Sequence, residues 1–538
     1  MSPGTRNIAD ILTERGTECR PGGFRSWPAA VSGRRVYAAP VSAHEQEARM
    51  VRKIALTLLS AALAAWCAAG GNHDAKTVLG NVSRAMGADN LKTIQYSGSG
   101  ADFSLGQAMN PSSAWPRFTD KTYTRTIDFD KQASELQRVR VQGENPPRGG
   151  GGQPLVGEQN QNQVAIFNDN TPWVQRLDLI LLPWGFLRAA SAAPDTTVKS
   201  EKINGKKFTV VSFMGQNKAP VSAFIDDQNM IERVETKVDN AVLGDTPYEG
   251  IYSGYRDFNG VKFPTSIVQK QGGYPVLELT VTDVRPNVEA NIQPPQGRGR
   301  GGAGGPGGPG NQTAEAPTEK LGEGVYLILG GYAAVAVEFN NYIAVVEGPQ
   351  SEQRALAIIQ ATKKLIPNKP IRYVVNTHNH FDHASGLRTF VAEGATVITH
   401  QINKPYYEKV WANPHTLVPD KMAQAKAKPK FETMTENKLL TDGNQVLELY
   451  HVQGSTHNDG MIMAYLPKEK VLIEADEFNP PAQVATAPPA NINPYNANLA
   501  ANIDRLKLDV DRIIPIHYPN DSRKVAKSEL NMAIGKAN

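Results

Sequence analysis

Four side chains able to bind a metal lie within six residues of one another, directly after a predicted strand. The strand, Ile371–Val375, is rich in β-branched residues and is followed by Asn-Thr-His-Asn-His-Phe-Asp-His. His378 and His380 are two positions apart and leave an extended segment on the same side. Asp382 and His383 come one step later, at the turn into a predicted helix. Such a cluster without a cation would leave repulsion or unsatisfied nitrogens, so the segment predicts a metal site.

The surrounding pattern indicates an α/β layered fold. Strand-like runs at Gly324–Ile328 and Ala334–Phe339 are followed by a helical pattern over Ser351–Ile366, which Ser351 caps and Pro367 ends. The chain then returns to a strand immediately before the histidines. In folds of this kind functional groups gather at strand ends and in loops.

The order His-x-His-x-Asp-His at a strand end resembles the signature of the metallo-β-lactamase superfamily. Later motifs of that family follow in order. His457 lies in Gly-Ser-Thr-His-Asn-Asp-Gly, Asp476 ends Val-Leu-Ile-Glu-Ala-Asp, and His517 follows Ile-Ile-Pro-Ile. The resemblance covers residues 315–538 and implies that this region folds as an αββα sandwich.

The resemblance also implies two metal ions, each held by three side chains, with one carboxylate shared between them. The first set is His378, His380 and His457, the second is Asp382, His383 and His517, and Asp476 bridges the two. Imidazole and carboxylate ligands without thiolate suit two Zn²⁺ per chain, although manganese and iron accept the same ligand types. Such a pair ionises a shared water at neutral pH, which then attacks a carbonyl. Asp382 is the expected catalytic residue, because it would also orient the attacking hydroxide.

Two residues near these motifs depart from the family pattern or have an open role. Glu347 stands where the family usually has Asp, and we expect it to accept a hydrogen bond from a ligand imidazole. Asp459, two residues after His457, fits either a supporting role at the site or a simple turn.

Tyr407 and Trp411, in a long loop, fit a packing stripe or a contact with substrate.

A Gly- and Pro-rich segment at 293–314 is typical of a flexible linker and separates residues 72–292 from the domain at 315–538. The first region opens with a helical pattern from Ala75 to Met86 and continues with repeated strand signals. The expected fold class is therefore α+β in two domains, the first an antiparallel β-rich domain with a short helix. A glycine run and Gln/Asn-rich sequence over 149–163 predict a disordered loop within it.

The helix followed by an antiparallel meander resembles the half-barrel of periplasmic lipoprotein carriers of the LolA type. That resemblance implies a lipid ligand in the N-terminal domain. An antiparallel packing module without any ligand fits the same pattern equally well.

The stretch that begins at Met50 is typical of a signal peptide. Two basic residues precede an uncharged, mostly apolar run over 54–65, which ends in small residues near Gly70. The run is too short to span a bilayer comfortably. We therefore expect a signal peptide at 50–70 and a periplasmic or secreted protein, with residues 1–49 as an upstream extension foreign to the native chain.

Composition and charge exclude several classes of function. The chain has 538 residues, 40% hydrophobic and 20% charged, as expected of a globular protein. Its 57 basic and 53 acidic residues include nine and five within the first 53 positions, which leaves 48 of each in the remainder. No nucleic-acid or anionic-membrane partner is indicated. Cys19 precedes the leader and Cys67 could be lipidated, so structural disulfides and thiolate metal ligands are excluded.

Two hypotheses follow. The first is a secreted dinuclear zinc hydrolase acting on the carbonyl of a small-molecule amide, ester, lactone or thioester, β-lactams included. The alternative is a periplasmic carrier whose first domain binds a lipid or lipoprotein and whose metal domain is structural. A structural zinc site has four ligands and no open position, which favours the hydrolase. Neither hypothesis includes a transmembrane span, and the sequence carries no signal for an oligomeric state.

Overall fold

The computed structural model describes residues 74–143, 148–149, 154–293 and 316–536. The predicted signal peptide at 50–70, the upstream segment 1–49, both cysteines and all but the first residue of the predicted linker at 293–314 lie outside the described residues. Across the part of the chain that is described, no helix combines the length and apolar character needed to cross a membrane.

The N-terminal half is built on one antiparallel sheet of eleven strands. The strands are β1 (Thr93–Phe103), β2 (Arg117–Asp128), β3 (Ala133–Gln142), β4 (Gln159–Ile166), β5 (Thr197–Ile203), β6 (Lys206–Met214), β7 (Pro220–Ile225), β8 (Ile231–Asn240), β9 (Gly244–Phe258), β10 (Val261–Gln271) and β11 (Tyr274–Pro286). Their order across the sheet is β4-β3-β2-β1-β11-β10-β9-β8-β7-β6-β5. The helices are α1 (74–86), α2 (Trp173–Ile180) and α3 (Pro183–Ala192), with a short 3₁₀ turn at Gln216–Lys218.

Apolar side chains of the three helices pack on the sheet and form the core of this half. Met86 of α1 and Trp184 of α3 are buried, and the Trp184 ring stacks on Phe263 with 4.7 Å between the ring centroids. Alternate residues of a half-buried strand face such a core, and β8 shows this alternation. The predicted antiparallel β-rich region and its first helix are thus confirmed. The likeness to a lipoprotein carrier stays a prediction.

One sequence expectation for this half was wrong in part. The predicted disordered loop over 149–163 overlaps β4 at residues 159–163, and β4 pairs with β3 from Ala133 opposite Ile166 to Arg140 opposite Gln159. Residues 150–153 of that prediction lie outside the described residues. An edge strand can be polar on both faces because solvent reaches both. Its composition then lacks the alternation of apolar and polar residues that would predict a strand. Helices α2 and α3 were not predicted. Pro183 lies at the start of α3, where a proline is tolerated because the first amide needs no acceptor.

The C-terminal half has two sheets with helices outside them. The first sheet contains β12 (Thr318–Gly322), β13 (Val325–Ile328), β14 (Ala334–Glu338), β15 (Ile343–Val346), β16 (Ile371–Val375), β17 (Thr396–His400) and β18 (Phe431–Met434). The second contains β19 (Asn437–Thr441), β20 (Val446–His451), β21 (Ile462–Leu466), β22 (Val471–Glu474), β23 (Arg512–Pro515) and β24 (Val525–Ala526). The helices are α4 (Glu352–Leu365), α5 (Phe381–Ala384), α6 (Leu387–Ala392), α7 (Lys404–Val410), α8 (Lys421–Ala425), α9 (Pro494–Leu506) and α10 (Lys527–Ala533).

Three apolar layers hold these elements together. Val346 and Leu449 belong to the layer between the two sheets. Ile358 of α4 lies in the layer on the outside of the first sheet, and Leu499 of α9 lies in the layer on the outside of the second. The order helix, sheet, sheet, helix confirms the predicted αββα sandwich. The predicted helix is present as α4, with the Ser351 hydroxyl accepting a hydrogen bond from the Arg354 amide.

Strand direction decides where the functional loops meet. Strand β15 is parallel to β16, and β22 is parallel to β23, so the carboxyl ends of each pair lie at one edge of their sheet. The two halves of the protein also share an apolar cluster, in which Ala108, Trp115 and Val242 of the N-terminal half pack with residues such as Phe381. This shared cluster brings the loop between β1 and β2 to the same edge.

Candidate metal centre

The first ligand segment turns sharply after β16. His378 and His380 lie in the loop, and Asp382 and His383 lie on the single turn of α5. All three histidines are fully buried, whereas Asp382 is partly exposed. The Asn376 side-chain amide donates to the backbone carbonyls of His378 at 2.6 Å and His383 at 3.3 Å, which fixes the turn.

The remaining ligand candidates come from the second sheet. His457 lies between β20 and β21, Asp476 follows β22, and His517 follows β23. Asp476 has a φ of 64°, a left-handed conformation that is uncommon outside glycine. Aspartate tolerates this conformation better than most residues, and here it turns the chain directly after the strand.

The seven predicted ligands form two groups that share one carboxylate. His378, His380, His457 and Asp476 form the first, and Asp382, His383, His517 and Asp476 form the second; within each group one ligand atom per residue lies within 4.8 Å of the others. The structure therefore brings together all of the residues that sequence reasoning proposed as ligands.

The donor set fits a cation. Among the described residues, His380 Nδ1 is a buried nitrogen without a hydrogen-bond partner, whereas His383 Nε2 and His517 Nε2 each lie 2.9 Å from an oxygen of Asp476. His457 Nε2 and His378 Nε2 approach each other to 3.3 Å. Burial followed by the charge of His383 lowers the pKa of His378 to about 3, so this imidazole keeps its lone pair at neutral pH. Converging nitrogen lone pairs beside carboxylates are the donors that zinc and related ions bind.

The pKa values of Asp476 and His517 show how the carboxylates and imidazoles of the cluster affect each other. Burial raises the pKa of Asp476, but His517 and His383 outweigh burial and hold it well below its usual range. Conversely, burial lowers the pKa of His517 while Asp476 and Asp382 raise it, to about 9 overall. The carboxylates and the imidazoles of this cluster thus stabilise each other's charged forms.

Three side chains outside the predicted ligand set orient it. Glu347 Oε2 lies 3.2 Å from His383 Nδ1 and accepts a hydrogen bond from the Thr377 hydroxyl at 2.5 Å. The expectation that Glu347 supports a ligand imidazole is confirmed. The Tyr332 hydroxyl donates to Asp382 Oδ2 at 3.0 Å, and its ring lies 4.5 Å from that of His517. Nothing in the sequence pattern singled out Tyr332, which lies in the turn before β14.

The other candidates have structural roles. Tyr407 and Trp411 are buried and stacked with 4.9 Å between ring centroids, which confirms the packing interpretation. Asp459 points to the N-terminal half, where Asn110 donates to its Oδ2 at 2.7 Å. A further histidine, His415, belongs to neither ligand group, and its Nδ1 lies 3.8 Å from both Asp239 and Asp420.

Comparisons with known proteins agree with this geometry. Residues 347–517 match the family model of the metallo-beta-lactamase superfamily. The alpha subunit of 2,4-dinitroanisole O-demethylase from Nocardioides sp. (strain JS1661) is 24% identical over 221 residues, which are 40% of this chain. The match spans 61% of the length of that curated relative.

The solved structures that match part of the chain include a metallo-beta-lactamase from Pontibacter korlensis, 15% identical with a TM-score of 0.31. That match covers 41% of this chain and 97% of the other. A flavoprotein from Thermotoga maritima is 14% identical with a TM-score of 0.32, covering 41% of this chain and 60% of the other. On the family match, residues 347–517 are a domain of the metallo-beta-lactamase superfamily, a metal-binding superfamily, and they carry its His/Asp cluster.

Proposed function

We propose that this protein is a metal-dependent hydrolase whose centre holds two Zn²⁺ ions and that acts on the carbonyl of a small molecule. The observation that carries the proposal is the position of the Asp476 carboxylate between the two ligand groups. Its Oδ2 lies 3.4 Å from His378 Nε2, 3.3 Å from His457 Nε2 and 2.9 Å from His383 Nε2. Its Oδ1 lies 2.9 Å from His517 Nε2. One carboxylate shared in this way suits a dinuclear centre.

Two bound zinc ions would lower the pKa of a water molecule and polarise the substrate carbonyl. Around them, the chain supplies orientation. Burial and then Asp382 and Asp476 raise the pKa of Tyr332, so its hydroxyl stays protonated and donates to Asp382. Asp382, held as a carboxylate, accepts this bond and is the residue we assign to orienting the attacking water.

The partial exposure of one ligand group favours catalysis over a structural metal. The side chains of Asp382 and His517 are 20% and 29% exposed, whereas those of His378 and His457 are fully buried. A substrate would thus approach from the side of Asp382 and His517. A structural site gains nothing from such an opening, because its four protein ligands complete the coordination.

The test is hydrolysis by the full chain loaded with zinc. The panel comprises β-lactams, lactones, thioesters and aryl esters, together with an aryl methyl ether, because the curated relative is named an O-demethylase. We expect about two zinc ions per chain and turnover of at least one carbonyl class. Turnover of the ether alone would refute the carbonyl proposal, and full activity after complete metal removal would refute a metal-dependent hydrolase.

Substitutions separate the centre from the rest of the domain. Asp476→Ala removes the shared carboxylate and His380→Ala removes one buried ligand, so each should reduce turnover to that of the chelated protein. The matched control is His415→Gln, which changes a histidine that contacts Asp239 and Asp420 and no predicted ligand. It should keep the wild-type rate.

A second role rests on a separate cavity in the N-terminal half. A cavity of about 670 Å³ lies beside α2 and α3 and is lined largely by apolar side chains, among them Phe129, Trp173, Ile180 and Phe213. Its volume is in the range of small-ligand sites. We propose that it binds an apolar ligand such as an acyl chain. Extraction of the full chain purified from its native host, followed by lipid mass spectrometry, tests this; a lipid-free extract opposes it.

A further inference from the structure

The loop between β1 and β2, residues 104–116, lies directly on the ligand segments of the C-terminal half. The Phe381 amide donates to the Gly106 carbonyl at 3.2 Å, and the Asp459 amide donates to the Met109 carbonyl at 2.8 Å. Backbone bonds therefore tie the loop to both sides of the centre, since Phe381 precedes Asp382 and Asp459 follows His457 by two positions.

Within this loop, two consecutive residues contact metal ligands. Gln107 Nε2 donates to Asp382 Oδ1 at 2.8 Å, while Tyr332 donates to the other carboxylate oxygen. His380 Nε2 lies 2.9 Å from the Ala108 carbonyl oxygen. A carbonyl can only accept, so His380 carries its proton on Nε2 and keeps Nδ1, which has no protein partner, for a metal.

Further contacts hold the loop in place. Asn110 donates to Asp459, and Asn458 Nδ2 donates to the Ala108 carbonyl at 3.2 Å. A second piece of the N-terminal half, Gly149, donates from its amide to the Thr456 carbonyl at 2.9 Å. The loop is thus fixed against the segment 456–459, which contains His457.

We propose that the N-terminal sheet completes the metal centre, with Gln107 as the positioning residue of Asp382 and the Ala108 carbonyl as that of His380. The inference rests on the proposed function only in requiring that the cluster binds cations. It gives the N-terminal half a role at the centre that does not depend on any lipid. Hydrogen-bond partners behind metal ligands fix ring and carboxylate orientation, and their loss typically costs 10–100-fold in metal affinity.

The experiment compares the full chain with its Gln107→Ala and Gln107→Asn variants. Gln107→Asn keeps the amide but shortens the side chain by one methylene, so it no longer reaches Asp382 with the same geometry. The matched control is Gln228→Ala, in the exposed turn between β7 and β8. Zinc affinity and stoichiometry are measured by competition with a chromophoric chelator. Cobalt(II) serves as a spectroscopic probe, and thermal melting of the metal-free protein monitors folding.

We expect Gln107→Ala to weaken one of the two zinc sites by about 10–100-fold and to shift the visible cobalt band of that site, with an unchanged melting temperature of the metal-free chain. Gln228→Ala should match the wild type in all three measurements. Wild-type zinc affinity and an unchanged cobalt spectrum in both Gln107 variants would overturn the inference alone. A wild-type chain that binds no cation would overturn the proposed function and this inference together.

Discussion

Replacing Asp239 with asparagine should stabilise the protein, and the gain should grow with pH. Asp239 of β8 lies directly opposite Asp245 of β9 in the register of the sheet. His415 Nδ1 lies 3.8 Å from a carboxylate oxygen of Asp239 and from one of Asp420. Burial, then Asp245 and Asp420, raise the pKa of Asp239 to about 7. Like charges directly opposite each other on neighbouring strands are destabilising.

The sign follows from proton linkage. An aspartate in the unfolded chain has a pKa of about 3.9, so the folded protein binds this proton more tightly than the unfolded protein does. Stability is therefore lost as the pH rises from about 4 to about 7. The two pKa values differ by about 3, and one pKa unit corresponds to about 1.4 kcal/mol. The loss of stability at high pH therefore has an upper limit of about 4 kcal/mol. The side chain of Asp239 is 31% exposed, so solvent screening reduces the expected gain to about 1–2 kcal/mol.

Guanidinium chloride unfolding at pH 4 and at pH 8 measures this difference. Asp239→Asn should have nearly the wild-type free energy of unfolding at pH 4 and exceed it by about 1–2 kcal/mol at pH 8. Asp227→Asn, in the exposed turn after β7, is the matched control and should give the same small difference at both pH values. An equal gain for Asp239→Asn at the two pH values, or none at either, would refute the reasoning.

Two further predictions concern the supports of the centre. Glu347→Gln removes the charge beside His383 Nδ1 and should weaken one zinc site by about 10–100-fold in chelator competition; unchanged affinity would contradict the role given to Glu347. Gly106→Ala should lower the free energy of unfolding by about 1 kcal/mol for its φ of 72°, plus about 1–3 kcal/mol because the new Cβ would lie 2.2 Å from the Phe381 ring. Gly205 has a φ of 86° and open space around it, so Gly205→Ala should lose only the backbone contribution of about 1 kcal/mol in denaturant unfolding. Equal losses of unfolding free energy in the two variants would refute the packing argument.

The parts of the fold that could be predicted were those with a strong local signal. Strand β16 agrees with its predicted bounds at both ends, because four of its five residues are aliphatic or aromatic and the strand lies between Pro370 and the polar turn that follows. Helix α4 has a capping serine and a proline just beyond its end. The ligand motifs were visible because each follows a strand, and the parallel pairs β15–β16 and β22–β23 carry the ends of β16, β22 and β23 to an edge of their sheet.

The residues that hold the ligand candidates in place, Gln107, Ala108 and Tyr332, had no such local signal in the sequence. Gln107 and Ala108 lie some 270 residues before the ligands that they contact, and Ala108 acts through its backbone carbonyl, which any residue possesses. Tyr332 resembles any half-buried aromatic residue. The contacts of Gln107 and Ala108 arise from the docking of the first half on the second, through side chains such as Trp115, and tertiary packing of that kind has no sequence period.

The hydrogen bonds to Asp382 link metal binding to the docking of the two halves. Asp382 accepts one hydrogen bond from Gln107 and another from Tyr332, so its orientation depends on both halves of the chain. Trp115 and Val242 are buried in the shared apolar cluster, and this burial holds the halves together without any cation. A cation that binds only the docked arrangement adds its binding free energy to the same interface. Docking of the two halves and metal binding should therefore stabilise each other, because each fixes the ligands that the other needs.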